Sequence, residues 1–140
     1  MLKAWRKVAF AKSRLPRMDE MPPAALQAAE PYLVVLEIVA GGDLRFVRYG
    51  AAVAAAFGRN MVGLSARDLP AADARFFFTI YGRSMRERVP YLTRHAPSRE
   101  VAVESWMRLV LPFGHGEPGR VTHFLTCNIP INAASDVPEL

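Results

Sequence analysis

Three histidines and one cysteine are the side chains of this 140-residue chain best suited to hold a metal or to attack a substrate. His115 and His123 flank a predicted hairpin turn and, with Glu117, could come together as metal ligands. Nothing fixes a third ligand at the close spacing that zinc sites usually show. An exposed turn histidine and a half-buried strand histidine explain the pair equally well, so we expect no metal.

Nucleophiles and carboxylates are the next candidates for chemistry. The single cysteine, Cys127, excludes an internal disulfide and a cysteine-rich metal site. Asp68 and Asp73 could serve in acid or base catalysis only if they lay inside a pocket. Both come where a turn or helix begins, and capping of backbone N–H groups explains them there. No phosphate-binding glycine loop is present. We find no catalytic machinery and expect that the protein is not an enzyme.

The net charge of +5 belongs to one end of the chain. Residues 1–17 hold six basic residues and no acidic ones, whereas the remainder holds 12 basic and 13 acidic residues. A nucleic-acid binder would spread its basic residues over a folded face, so we expect no nucleic-acid partner. The longest apolar run is far short of the ~20 residues of a membrane span. No apolar signal-peptide segment follows the basic start. We therefore expect a cytoplasmic protein.

Hydrophobic periodicity and chain-breaking residues define the elements that must position these side chains. The first helix is too short to be stable alone, so it must dock on something. A run of strands, then helices, then strands predicts an α+β domain: a five-stranded antiparallel sheet with helices on one face and a flanking N-terminal helix. In chain order we predict helices 2–15 and 23–29, strands 32–39 and 44–49, helices 51–57 and 71–88, and strands 91–94, 101–113 and 121–131.

The chain divides into three parts on this basis. Residues 1–22 are a basic helix and linker, residues 23–132 are one domain, and residues 133–140 are a flexible tail. A chain of this length buries enough surface to fold without staples.

Several short motifs follow one another between residues 25 and 131. They are Asp43-Leu44-Arg45-Phe46, Gly50, the segment from Phe57 to Gly63, Tyr81 eight residues before Val89-Pro90, and the segment from Leu109 to Phe113. Their order and spacing resemble the PAS domain, and more closely the single-domain PAS proteins common in alphaproteobacteria. Ala51 and Arg48 depart from that pattern, where a threonine and an apolar residue are expected. The resemblance implies a sensory, protein-interacting role and no reaction.

The resemblance also raises two cofactors. The segment from Gly58 to Met61 resembles the flavin-binding light sensors of the superfamily, in which a cysteine follows the asparagine. Met61 stands at that position, and an adduct needs a thiolate nucleophile. Haem-binding relatives usually hold iron through a histidine on the helix before the third strand, where this chain has none, so His95 or His123 would have to serve. We expect no cofactor: Met61 excludes flavin adduct chemistry, and haem is disfavoured.

Aromatic side chains on elements that should face the sheet predict either an apolar ligand pocket or an ordinary packed core. Ser105, Arg48 and His123 would discriminate the two, because a buried polar group needs a partner and a ligand could be that partner. The residues predicted to line the pocket are Tyr49, Phe57, Phe77, Phe78, Tyr81, Ser105, Met107, Leu109, Leu125 and Cys127.

The other face of the sheet should carry apolar residues that mark a contact with the N-terminal helix and with a second copy of the chain. The residues predicted for this dimer or partner contact are Leu2, Trp5, Val8, Phe10, Trp106, Val110 and Phe124.

The predicted function is a non-enzymatic PAS-type sensory or adaptor module. It would dimerise and pass its signal to a separate signalling protein, with or without a small apolar ligand. One alternative is a small cone-shaped α+β enzyme or ligand-binding protein of the steroid-isomerase shape, which needs a carboxylate inside its cup. Another is that residues 1–17 rest on an anionic membrane surface through Trp5, Phe10 and the lysines.

Overall fold

A computed structural model describes residues 1–98, 101–115 and 119–132. The predicted tail over 133–140 and the candidate ligand Glu117 lie outside these residues. The elements are α1 (Leu2–Lys12), α2 (Pro23–Gln27), β1 (Leu33–Val39), β2 (Asp43–Tyr49), α3 (Ala51–Phe57), α4 (Ala71–Glu87), β3 (Tyr91–His95), β4 (Ser105–Phe113) and β5 (His123–Ile131). The five strands form one antiparallel sheet, as the sequence predicts, and their spatial order is β2-β1-β5-β4-β3.

Two predicted boundaries differ from the structure by more than two residues. The first helix ends at Lys12 because Ser13 adopts a left-handed conformation with φ of 50°. The strand predicted over 101–113 begins only at Ser105. Val101 and Val103 keep their apolar role without strand pairing, since both are buried in the connection before β4. Burial alone produced the strand-like pattern there.

Glycines fix the two sharp changes of direction around β2. Gly41 and Gly42 have φ of 79° and 75°, so the β1–β2 connection is the tight turn that the sequence predicts. Gly50 joins β2 to α3, and a Cβ there would lie 2.3 Å from the Pro31 carbonyl oxygen. Only glycine lets the chain pass this close, so α3 can start directly at the end of β2.

The N-terminal helix α1 docks on the sheet, as its short length requires. Trp5 is buried, and its indole Nε1 donates a hydrogen bond to the Pro112 carbonyl at 2.8 Å. The segment after the helix is held by Glu20, which accepts hydrogen bonds from Lys12 at 2.5 Å and from Arg14 at 2.6 Å. Among the described residues, no helix is long and apolar enough to cross a membrane.

The sheet has an inner face, covered by α3 and α4, and an outer face, crossed by α1 and the short α2. Side chains alternate between these faces along each strand. Phe124 marks the inner face, since its ring lies 4.9 Å from that of Tyr81 on α4. Met107 marks the outer face, since it shares a groove with Leu2 of α1.

The sequence-based assignment of these two faces is wrong for β4 and β5. Met107, Leu109, Leu125 and Cys127, predicted to line the pocket, lie on the outer face, and so does Ser105. Trp106, Val110 and Phe124, predicted to form the outer contact, are buried on the inner face. The reason is physical: because α1 and α2 cover much of the outer face, both faces are apolar, and periodicity alone does not tell one from the other.

Candidate ligand site

The inner face and the helices above it enclose a small cavity. Three of the residues predicted for a pocket, Tyr49, Phe57 and Phe77, line it, and so does Trp106. Its free space is about 30 Å³, which is room for roughly two water molecules. The cavity also has a polar side, formed by Asp73, His95, Arg108 and Asn128.

Arg108 is the only charged residue that β4 carries on the inner face, and it is 4% exposed. Its guanidinium lies over the Phe77 ring, 4.4 Å from the centroid, an arrangement that favours a cation. Its Nε donates to the Asn128 Oδ1 at 2.5 Å, while its Nη1 has no hydrogen-bond partner. Burial lowers the pKa of Arg108 below its usual value, and nearby Tyr81, Tyr49 and Asp73 oppose that change.

Asp73 does not cap its helix, contrary to the sequence-based interpretation. It lies in the first turn of α4, and its Oδ1 accepts the backbone N–H of Ser98 at 3.1 Å. It thereby ties the helix to the chain that follows β3. Its other oxygen, Oδ2, is buried without a partner. Asp68 does cap, because its Oδ2 accepts the backbone N–H of Ser65 at 2.9 Å.

His95, the last residue of β3, closes the polar side of the cavity. Its ring stacks on Phe76 with centroids 3.9 Å apart, and its Nδ1 is buried without a partner. Burial lowers the pKa of His95 to about 4, helped by the positive charge of Arg108 and opposed by Asp73. The imidazole is therefore neutral at pH 7 and offers one donor and one acceptor.

Two tyrosines border the same region. Tyr81 is fully buried and its hydroxyl has no hydrogen-bond partner, and burial raises its pKa. Burial likewise raises the pKa of Tyr49. Both phenols stay neutral at physiological pH. The polar side thus has one cation, Arg108, surrounded by neutral donors and acceptors and the carboxyl group of Asp73.

The sequence missed the polar side of the cavity. The three polar residues proposed as indicators do not line it: Ser105 accepts a hydrogen bond from Arg94, Arg48 pairs with Glu30 on the surface, and His123 lies on the outer face. Phe78 does not line it either. Arg108 and Asn128 do, and the signal that could have found them is a single strongly polar residue in the middle of each of two apolar strands.

The segment after α3 has a structural role in this chain. Gly58 ends α3 with φ of 89°, and the Asn60 Oδ1 accepts the backbone N–H of Val62 at 2.9 Å. The Met61 side chain is fully buried in the core.

The histidine pair considered as metal ligands does meet on the outer face. The rings of His115 and His123 are 5.2 Å apart, and His123 lies 3.9 Å from Glu37. Within residues 1–98, 101–115 and 119–132, no group of three metal-ligating side chains is found.

The outer face holds a larger and more apolar groove of about 890 Å³. It lies between the two N-terminal helices and the exposed part of the sheet. The charged residues that line the groove are Lys3 and Arg6 of α1. The apolar side chains that line it are Met1, Leu2, Ala25, Ala28, Ala29, Leu92, Met107, Leu109, Cys127 and Ile129.

Comparisons with known proteins identify the class of fold. No protein-family model and no curated protein matches the sequence. Among the solved structures that match the fold are three light-oxygen-voltage proteins. A light-oxygen-voltage domain studied with a flavin analogue has a TM-score of 0.60 at 15% identity, over 80% of this chain and 84% of that one. An RNA-binding light-oxygen-voltage receptor has a TM-score of 0.54 at 21% identity, over 82% of this chain but only 34% of the receptor. A variant of the light-oxygen-voltage protein RsLOV has a TM-score of 0.52 at 16% identity, over 93% and 72%.

The chain therefore has the PAS fold, of which light-oxygen-voltage domains are a subfamily. The sheet order and the helices between β2 and β3 confirm the predicted architecture. The cone-shaped steroid-isomerase architecture, considered as an alternative, is wrong for this chain.

The expectation of no cofactor is contradicted by the same comparisons. Light-oxygen-voltage domains bind flavin, so Met61 does not justify excluding flavin chemistry from a chain that shares their fold. Without a cysteine thiolate the covalent adduct cannot form, but non-covalent binding of a flavin does not require a thiolate. The residues fit a flavin poorly as they lie, because a three-ring group needs far more than 30 Å³ and Phe77 and Trp106 would have to move.

Proposed function

We propose that this chain is a non-enzymatic PAS-type sensory or adaptor module that pairs with a second copy of itself through the outer groove. The observation that carries the proposal is the groove itself, an apolar surface left open between α1, α2 and the sheet. Leu92, on the edge strand β3, is 55% exposed beside it. A contiguous apolar surface of this kind marks a contact in soluble proteins.

A second copy is the occupant that fits the arrangement best. In a dimer with two-fold symmetry, the groove of one copy packs against the same groove of the other. The apolar residues of α1, β3 and β4 would then be buried on both copies at once. PAS domains, which this chain resembles, often pair through a helix that flanks the sheet, and α1 is such a helix. Leu2, one of the residues proposed for the contact, lines the groove, whereas the Trp5 side chain is buried within its own chain.

The sensory part of the proposal is supported by the fold and by the polar cavity. A change inside the cavity could shift β4 and β5, because Arg108 of β4 and Asn128 of β5 line it. The same strand β4 carries Met107 and Leu109 on the outer face, so such a shift would alter the groove. A signal would then pass to a separate signalling protein. We also propose a cytoplasmic location.

Contact of residues 1–17 with a membrane surface remains a less favoured prediction. Phe10 is 90% exposed and free to insert. Trp5, however, is buried and cannot insert, and Lys12 and Arg14 are paired with Glu20, which leaves Lys3, Arg6 and Lys7 as the exposed basic residues of α1 outside these pairs.

The test is the mass of the protein in solution, measured by light scattering after size exclusion. We expect a dimer for the unaltered chain and a folded monomer for Leu109→Glu, because the new carboxylate would be buried in the contact. Val47→Glu is the matched control, since Val47 is also an exposed apolar strand residue (40%) but lies on β2, outside the groove. A monomeric unaltered protein, or equal loss of the dimer in both variants, would contradict the proposal.

A further inference from the structure

Arg108 is a buried cation that forms no salt bridge with any of the described residues. Among the described residues no carboxylate oxygen lies within 4.0 Å of its guanidinium nitrogens. Its partners are the neutral amide of Asn128 and the face of Phe77. Taking a charge out of water costs several kcal/mol unless it is paired and hydrogen-bonded. The carboxyl group of Asp73 lines the same cavity and favours the charged form of Arg108, but it forms no salt bridge with the guanidinium, which leaves the charge open to a further partner.

Unsatisfied polar atoms gather around this guanidinium. Five buried side-chain atoms have no hydrogen-bond partner in the described part of the chain. Three of them, the Arg108 Nη1, the His95 Nδ1 and the Asp73 Oδ2, belong to residues that line one cavity. The others are the Tyr81 hydroxyl and the Ser98 hydroxyl, and Ser98 is bonded to Asp73 through its backbone. Unsatisfied buried groups are rare in folded proteins and call for a ligand or an ordered water.

We propose that this cavity binds a small monocarboxylate, with the guanidinium of Arg108 holding the carboxylate group. One cation matches one negative charge, and arginine donates to carboxylates through paired N–H groups. The Asp73 Oδ2 is an acceptor without a donor, so a ligand that also carries a hydroxyl group satisfies it. The simplest ligand with both groups is a short 2-hydroxy acid, of which glycolate is the smallest.

Size and charge set the class of ligand. Free space of about 30 Å³ is room for roughly two waters, so the ligand must be very small, and glycolate enters only if the side chains that line the cavity move apart. Phosphate and sulfate are disfavoured, because the carboxyl group of Asp73 lines the same cavity and, among the described lining residues, Arg108 is the one permanent cation. Neutral His95 adds one more donor or acceptor without adding charge.

The experiment titrates the unaltered full-length protein with sodium glycolate, acetate, acetamide and sulfate by calorimetry at constant ionic strength. We expect glycolate to bind more tightly than acetate. Acetamide and sulfate should both bind more weakly than acetate. No glycolate binding, or acetamide binding as tightly as acetate, would overturn the proposal without any variant being needed.

Variants then locate the site. Arg108→Met should weaken glycolate binding at least tenfold, the usual loss when a charged hydrogen-bonding partner is removed. Asp73→Asn should reduce the preference for glycolate over acetate while acetate still binds. Arg75→Met removes an exposed arginine from α4 and should change neither affinity. Equal weakening by Arg75→Met and Arg108→Met would overturn the proposal in favour of surface charge.

This inference rests on the proposed sensory function and adds the class of ligand to it. The ligand proposal and the dimer proposal can each be contradicted without the other. The oligomeric state is measured on the same samples. A dimer that binds no carboxylate would overturn the ligand and leave the module, and a monomer that binds glycolate through Arg108 would do the reverse.

Discussion

Each face of the sheet holds one departure from the usual distribution of polar and apolar groups. The inner face, roofed by α3 and α4, buries the guanidinium of Arg108 beside Asn128. The outer face leaves Met107 and Leu109 in an open apolar groove. Stability alone would favour the opposite arrangement. Function is expected where a fold departs from such rules. Here both departures lie on β4, with Arg108 on its inner face and Met107 and Leu109 on its outer face.

The largest expected effect concerns the anchor of the outer face. Trp5→Ala removes a buried indole and its hydrogen bond to Pro112, so we expect a loss of about 3–5 kcal/mol in the free energy of unfolding. Chemical denaturation followed by circular dichroism measures it. Phe10→Ala is the control on the same helix: Phe10 is 90% exposed, and its replacement should change stability by no more than about 0.5 kcal/mol. Similar losses in both variants would mean that α1 is not held through Trp5.

The next effect has the opposite sign and tests the inner face. Replacing Arg108 and Asn128 together, as Arg108→Met with Asn128→Leu, removes an unpaired buried charge and its amide partner. We expect the ligand-free protein to become more stable, by about 1–4 kcal/mol, as when buried ionic groups give way to apolar ones.

The single variants separate the two contributions. Arg108→Met alone leaves the Asn128 Oδ1 without its donor, which costs about 1–3 kcal/mol, so its gain should be smaller than that of the pair. Arg75→Met, at an exposed arginine, should stay within about 0.5 kcal/mol. A double variant that is clearly less stable than the unaltered protein would show that Arg108 supports the fold after all.

The same strand shows how far sequence reasoning reached. Turn glycines, prolines and periodicity were enough to predict the order of strands and helices, because each is a local signal. Which face of β4 points inward depends on whether α1 and α2 cover the other face, and that is a long-range packing fact. The polar side of the cavity was lost with it, since Arg108 lies on the same face of β4 as Trp106 and Val110, which sequence reasoning assigned to the outer contact. Asp73 was lost for a different reason: helix starts often hold capping aspartates, but this one bonds the distant Ser98.

The smallest effect compares one histidine on each face. The folded-state pKa of His95 is about 4, below the ordinary 6.5, because of burial and the charge of Arg108. As pH falls from about 6.5 to 4, the unfolded chain takes up the proton first, so the protein loses stability over that range, and the full contribution of His95 is present above pH 6.5. The loss should be about 1–2 kcal/mol, once the partial exposure of the ring is allowed for.

The variant His95→Gln should remove this dependence, seen as a smaller decline in the free energy of unfolding between pH 6.5 and 4 than the unaltered protein shows. His123→Gln is the comparison on the outer face. The pKa of His123 is also lowered, by burial and by His115, but Glu37 lies 3.9 Å away and favours the charged ring. We therefore expect His123→Gln to remove less of the decline. If the two variants behaved alike, or if His123→Gln had the larger effect, the inner face would not be the more strongly desolvated one, and the electrostatic contrast between the faces would fail.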